Sequence, residues 1–127
     1  MEEGMVQPGV LIGSTFPVSL FRRDVSIHPI SLTEIRQNLS GAEIHSFWGH
    51  ANTLAAAEAL LGVSLKPAVD RPALLLTPEG LPMLDGIVFH RCYVCSPDYR
   101  PGFRPAIGEE VPAEAIVGWQ MLRINWL

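Results

Sequence analysis

The chain has 127 residues, 48% of them hydrophobic, which is enough to bury a core and predicts one domain over residues 1–127. Its formal net charge of −4 argues against binding to duplex DNA or RNA, which requires many phosphate contacts from lysine and arginine. The acidic start lacks the apolar run of a signal peptide, and no segment approaches the roughly 20 apolar residues of a membrane span. With only two cysteines, we expect no disulfide framework and a cytoplasmic location.

The first half of the chain predicts strands that alternate with helices. A strand is expected over residues 9–16, followed by a short extended segment over residues 24–30. Ser31 and Glu34 form a capping box, which predicts a helix that ends near Leu39. A buried strand is predicted over residues 42–47, and an apolar helix over residues 52–61 ends at a glycine.

The second half predicts mainly strands. A strand over residues 72–77 is expected to turn and pair with a strand over residues 86–95. The proline content of residues 96–105 indicates an irregular loop, and loops of this kind often carry function. A helical turn near Pro112 and a final strand over residues 118–126 complete the chain. These elements predict an α+β fold with a mixed sheet of about five strands flanked by helices.

The strongest functional signal is the break between the strand at residues 42–47 and the helix that follows. Gly49 and His50 lie at this break. The first amide groups of the helix, at Ala51, Asn52 and Thr53, have no partner within the helix, and the helix dipole makes that end attractive to an anion. A histidine at this position can move a proton near neutral pH, so the pattern indicates phosphate chemistry. The alternative is that His50 only caps backbone groups.

The remaining histidines and the cysteines give weaker signals. The spacing of His90, Cys92 and Cys95 invites a zinc interpretation. On a strand, however, the first two would face one way and Cys95 the other, which opposes both a shared metal ion and a disulfide. His45 shares a strand face with the aromatic residue two positions on, and His28 precedes a proline, so both are predicted to be structural.

Aromatic residues fall into two groups. Trp48, Trp119 and Trp126 could stack on bases, but tryptophan in a strand more commonly lies in a core or in a dimer interface. Tyr99 and Phe103, in the proline-rich segment, are the better candidates for stacking on a nucleobase.

The run Gly49-His50-Ala51-Asn52-Thr53, and the helix end Leu60-Leu61-Gly62, resemble a known family. They are similar to the small viral type III anti-CRISPR ring nucleases and their cellular relatives, in which Gly-His-Asp/Glu-Ser-Thr precedes a helix ending in Leu-Cys/Leu-Gly. Residues 11–16 also correspond to a strand of that family that ends in an Asn-Ala-Phe-Ser loop. The match departs from the family pattern at Ser14 and Pro17, and in the segment around Arg100.

The resemblance implies a homodimer that binds a small cyclic oligonucleotide, such as cyclic tetra-adenylate, across its interface. No metal or cofactor takes part in the family's reaction, in which a ribose 2′-hydroxyl attacks the adjacent phosphate. By resemblance, His50 would protonate the leaving 5′-oxygen. The substrate-binding positions would be Ser14, Thr15, Gly49, Ala51, Asn52, Thr53, Tyr99, Arg100 and Arg104. The alternatives are a non-catalytic module of the same fold that binds a nucleotide or a protein, and a purely structural interaction protein.

Overall fold

The computed structural model describes residues 9–48, 51–65, 74–104 and 111–127. Within these residues the elements are, in chain order, β1 (Val10–Gly13), β2 (Val25–Pro29), α1 (Leu32–Leu39), β3 (Ile44–Ser46), α2 (Ala51–Leu61), β4 (Leu75–Leu76), β5 (Pro82–Leu84), β6 (Ile87–Val88), β7 (Arg91–Tyr99) and β8 (Ile116–Trp126). Two short 3₁₀ helices lie at Val18–Leu20 and Ala113–Ala115.

The main sheet contains five of the described strands in the order β2-β8-β7-β1-β3. Strand β1 runs parallel to both β3 and β7, whereas β8 is antiparallel to β7 and to β2. Strands β4, β5 and β6 form a separate antiparallel sheet. The predicted α+β fold with a mixed sheet is therefore confirmed.

The main sheet has a hydrophobic cluster on each face because successive side chains of a strand point to opposite sides. Ile12 and Tyr93 pack on one face with Ile35 of α1 and Leu61 of α2. The other face packs against the small sheet, and its buried cluster comprises Leu11, Leu74, Leu81, Leu84, Phe89, Cys92, Val94, Ile124 and Trp126. The main sheet is thus the middle layer between helices and a second sheet.

Both predicted helices are confirmed, with starts that differ by one residue at most. The side chain of Ser31 accepts a hydrogen bond from the backbone N–H of Glu34 at 3.1 Å, so the predicted cap is present. The Glu34 carboxylate accepts from Arg123 at 3.0 Å, which ties α1 to β8. Helix α2 ends at Gly62, whose φ of 73° is the left-handed conformation of a helix C-terminus.

The pairing predicted for residues 72–77 with residues 86–95 is wrong. Strand β4 pairs instead with β5, which the sequence analysis missed, and β5 pairs with β6. The physical reason is the Asp85-Gly86 turn, where φ values of 56° and 78° match the hairpin turn that this dipeptide favours. Residues 72 and 73 lie outside the described part of the chain.

The irregular loop predicted over residues 96–105 is wrong in its first part. Strand β7 continues to Tyr99, and Pro97 pairs with Trp119 of β8. A proline is tolerated here because the pairing of β1 with β7 ends at Val94, so that beyond this point β7 has a neighbour on one side only among the described strands. Residues 96–99 of β7 and 116–120 of β8 form a two-stranded extension of the sheet, named here the β-arm.

The other strands agree with prediction apart from their ends. The strands predicted over residues 9–16 and 42–47 are shorter in the structure, whereas the last strand begins two residues earlier than predicted. The longest helix in the described residues is α2, with 11 residues, and no described helix is long and apolar enough to cross a bilayer.

Candidate functional site

The candidate site lies at the carboxyl ends of two neighbouring parallel strands. Strand β1 leads into Ser14 and Thr15, while β3 leads through Phe47 and Trp48 toward α2, which begins at Ala51. Because β1 and β3 pair in parallel, both connections leave the same edge of the sheet. Ligands of α/β sheets commonly bind at such an edge.

Two predicted phosphate-binding side chains are buried at this edge. Ser14 is only 4% exposed and Thr53 only 1%. The Thr53 hydroxyl accepts a hydrogen bond from the Trp48 indole N–H at 3.1 Å. This hydrogen bond ties the first turn of α2 to the connection that follows β3. Thr15, in contrast, is exposed and is available to a ligand.

Gly49 and His50 lie outside the described residues. The described part of the chain includes the residues on both sides of them, Trp48 and Ala51. The sequence prediction that a strand breaks into a helix at this point is confirmed by β3 and α2. The roles of Ala51 and Asn52 in substrate binding, like that of His50 in catalysis, stay predictions.

A close contact between Gly13 and Phe47 fixes the two connections relative to each other. A Cβ atom added at Gly13 would lie 2.3 Å from Cε2 of the Phe47 ring, far inside van der Waals distance. The Phe47 N–H donates to the carbonyl of Ile12 at 2.9 Å, so the two chain segments stay paired past the end of β3. Gly13 is therefore required for its lack of a side chain.

Tyr99 at the end of the β-arm, and Arg100 directly after it, lie far from this edge within one chain. Arg100 is six residues beyond Val94, the partner of Gly13, which corresponds to about 20 Å along an extended strand. Tyr99 and Phe103 contact each other with ring centroids 5.4 Å apart, and the Arg100 guanidinium lies 5.5 Å from the centre of the Phe103 ring. Arg104 is exposed. One chain alone therefore does not bring Arg100 to Ser14.

His45 is a structural residue, as predicted, although its contacts with two carboxylates could not be predicted from the sequence. It is 7% exposed and packs against Phe89, on the same sheet face as Phe47. Its Nδ1 lies 2.9 Å from a carboxylate oxygen of Asp85, and its Nε2 lies 3.7 Å from a carboxylate oxygen of Glu43. The hairpin turn of the small sheet is thereby attached to the main sheet.

The two cysteines lie on opposite faces of β7, as predicted. Cys92 belongs to the cluster under the small sheet and Cys95 to the cluster under the helices. Burial raises the pKa of Cys95 to about 12. Burial also raises the pKa of Cys92 well above its usual value, with a smaller contribution from the charge of the nearby Cys95. His90 precedes β7 and is exposed. Within the described ranges, no group of three or more His, Cys, Asp or Glu side chains is placed to hold a metal ion.

The cysteines are expected to react slowly with thiol reagents in the native protein. A thiol with a pKa of about 12 has roughly 10³-fold less thiolate at pH 8 than one with the ordinary value of 9, and burial further blocks the reagent. Titration with a chromogenic disulfide reagent at pH 8 should therefore release little thiolate until guanidinium is added. Fast reaction of one equivalent in the native state would contradict the burial of Cys92 and Cys95.

The tryptophans serve mainly as core residues. Trp48 is fully buried under the helices, and Trp126 is 6% exposed and contacts the rings of Phe16 and Phe21. Trp119 is partly buried beside the helix-side cluster. The prediction that a strand tryptophan lies in the core is thus confirmed for Trp126, while Trp48 is a core residue on the connection that follows β3.

Comparisons with known proteins add no identification. The chain matches no model of a known protein family, and no functionally curated protein is significantly similar to it.

Proposed function

We propose that this chain is a metal-independent phosphodiesterase, a ring nuclease that cleaves a cyclic oligoadenylate such as cyclic tetra-adenylate. The observation that carries the proposal is the parallel pairing of β1 with β3, each followed by a connection at the same sheet edge. The Ser14-Thr15 loop and the connection to α2 both leave the sheet at this edge, and the start of α2 is the segment in which the resemblance to ring nucleases is strongest. The mixed sheet flanked by helices also agrees with the fold that the resemblance implies.

The proposed reaction uses the substrate's own nucleophile. A ribose 2′-hydroxyl attacks the adjacent phosphorus, the bond from phosphorus to the 5′-oxygen breaks, and the product end is a 2′,3′-cyclic phosphate. His50 donates a proton to the leaving 5′-oxygen, and a base or solvent takes the proton from the 2′-hydroxyl. The first amides of α2, with the exposed Thr15, hold the phosphate oxygens.

A second copy of the chain completes the proposed site. Within one chain, Arg100 directly follows the β-arm and lies about 20 Å along the strand direction from the level of Gly13, too far to offset charge on a phosphate bound there. In a symmetric dimer, the partner's arm can approach this edge while its own edge receives the first arm. A shared pocket on the symmetry axis also suits a cyclic ligand with repeated units.

The protein is expected to be a dimer in solution. The two strands of the β-arm pair with each other and with no further strand in the described residues, and Val117 of the arm is 65% exposed; both features favour association. Light scattering coupled to size exclusion should give twice the mass of the chain at micromolar concentration. Replacing Val117 with lysine should shift the equilibrium toward monomer and reduce cleavage. A monomeric parent protein would exclude the shared site.

The activity is tested with labelled cyclic oligoadenylates of several ring sizes, separated by chromatography after incubation. Cleavage to linear products with a 2′,3′-cyclic phosphate, unchanged by a chelator, supports the proposal. Loss of cleavage with EDTA and recovery with zinc or manganese would overturn the mechanism.

Binding without cleavage would favour the second candidate, a non-catalytic module of the same fold. That candidate is favoured by the position of Arg100, which lies over the Phe103 ring and not beside the first loop of its own chain.

A further inference from the structure

A groove of about 800 Å³ opens at the edge of the main sheet opposite to the candidate site. Gly9 and Val10 at the start of β1, Arg91 at the start of β7 and Asn125 near the end of β8 contribute to its lining. Because these are the amino ends of the parallel strands, the groove is separate from the edge where Ser14 and Thr15 lie.

The groove presents an arginine that is oriented but not neutralised. Arg91 and Asn125 are cross-strand partners, and the Arg91 Nε donates to the side-chain oxygen of Asn125 at 2.9 Å. In the part of the chain that the structure describes, the terminal nitrogens of Arg91 have no hydrogen-bond or ion-pair partner. A guanidinium held in this way offers a planar pair of donors, which suits a carboxylate, sulfonate or phosphate.

The charges near the groove also favour an anion. Among the described residues, no acidic side chain lines the groove, while His90 and Arg91 both do. The carboxylates of Glu43 and Asp85, which neighbour lining residues in the chain, both lie within 4 Å of the His45 imidazole. His45 does not line the groove, so these two carboxylates contact a side chain outside it, whereas the hydrogen-bond partner of Arg91 is the neutral side chain of Asn125.

The rest of the lining is apolar and aromatic. Val88 is 42% exposed at the groove, which is also lined by buried aromatic residues from both faces of the main sheet: Phe89 and Trp126 from the small-sheet face, and Tyr93 from the helix face. The Trp126 indole N–H is buried and has no hydrogen-bond partner in the described residues. Apolar walls of this kind favour a ligand with a flat apolar body that excludes water, and the indole N–H provides a second donor.

We propose that this groove binds a small organic anion, in which an oxyanion group is joined to an aromatic or other apolar body. The oxyanion contacts the terminal nitrogens of Arg91, and the apolar body packs against Val88 and the aromatic lining. The inference does not rest on the proposed nuclease activity, because the groove and the candidate site occupy opposite edges of the sheet.

The test uses 8-anilinonaphthalene-1-sulfonate, an aromatic sulfonate whose fluorescence rises in apolar surroundings. The parent protein should bind one equivalent per chain saturably. Arg91→Ala should weaken binding about tenfold or more, the usual loss for a charge-assisted hydrogen bond, and Arg91→Lys less so. Arg22→Ala is the matched control, since Arg22 is also exposed and also donates through Nε to one oxygen, at 3.0 Å, but lies outside the groove.

A second pair of variants tests the apolar wall. Val88→Gln should weaken binding, whereas Leu75→Gln should not, although Leu75 is 49% exposed on the same small sheet and does not line the groove. Naphthalene-1-carboxylate should displace the probe at lower concentration than naphthalene-1-methanol, and Arg91→Ala should remove that difference. The proposal would be overturned by probe binding that never saturates. It would also be overturned if Arg91→Ala had the same effect as Arg22→Ala, or if Val88→Gln had the same effect as Leu75→Gln.

Discussion

Replacement of His50 with alanine is expected to lower the single-turnover rate of cyclic oligoadenylate cleavage by roughly 10²- to 10⁴-fold, the usual contribution of a positioned general acid. The leaving 5′-oxygen would then have to depart without a proton from the protein. Substrate affinity should change far less, because the α2 amides and Thr15 would remain. Rapid-quench kinetics with enzyme in excess, combined with equilibrium binding of the same cyclic oligoadenylate, separates the two effects.

His28→Ala is the matched control for this experiment. His28 is exposed on the edge strand β2, where its Nε2 lies 3.2 Å from the hydroxyl of Ser26, so its loss should leave the rate unchanged. If His50→Ala cleaves as fast as the parent, His50 has only a structural role and the reacting groups lie elsewhere. If the parent binds the ligand and cleaves none, the binding module replaces the nuclease as the function.

The parts of the fold that could be predicted are those set by local signals. Ser31 with Glu34 predicted the start of α1, and Gly62 predicted the end of α2, because capping and left-handed conformation depend on a few adjacent residues. The alternation of Cys92 and Cys95 between faces was also predictable, since a strand has a fixed period of two.

The parts that could not be predicted depend on which strands become neighbours. The sequence of residues 86–95 is typical of one strand, but the structure divides it between two sheets. The Asp85-Gly86 turn pairs β6 with β5 in the small sheet, whereas β7 pairs with β8 in the main sheet. An Asp-Gly pair between apolar residues is a hairpin signal that could have revealed this division. Pro97 suggested a loop because a proline disrupts a central strand, and nothing local indicates that β1 ends its pairing before that point.

The candidate site was predictable only in its local segments. The strand-to-helix break and the loop after β1 were expected to meet, and their meeting follows from the parallel pairing of β1 and β3. The distance of Arg100 from this edge was not predictable, because it results from the length of β7 beyond its contact with β1. The groove at the opposite edge joins residues from five separate segments and has no local signature at all.

Gly13→Ala is expected to lower the free energy of unfolding by about 1–3 kcal/mol, the range for forcing an extra methyl group into a packed site. The added Cβ would lie 2.3 Å from the Phe47 ring, and that ring also contacts Phe16 edge-on with centroids 6.1 Å apart. Denaturant unfolding followed by tryptophan fluorescence measures the change. Gly118→Ala is the control, because its added Cβ would lie 3.7 Å from a carboxylate oxygen of Asp98, an ordinary contact.

A double variant identifies the clash with Phe47 as the cause. If the ring resists the new methyl group, Gly13→Ala should cost less in a Phe47→Leu background than in the parent, with a coupling of about 0.5–3 kcal/mol between the two changes. Additive costs, or a Gly13→Ala variant as stable as Gly118→Ala, would contradict the close packing.

Because Gly13 directly precedes Ser14 and Phe47 lies on the connection to α2, displacement of the ring should also separate the two halves of the candidate site. Cleavage by Gly13→Ala should therefore fall even at temperatures where the variant is fully folded, and Phe47→Leu should restore part of it.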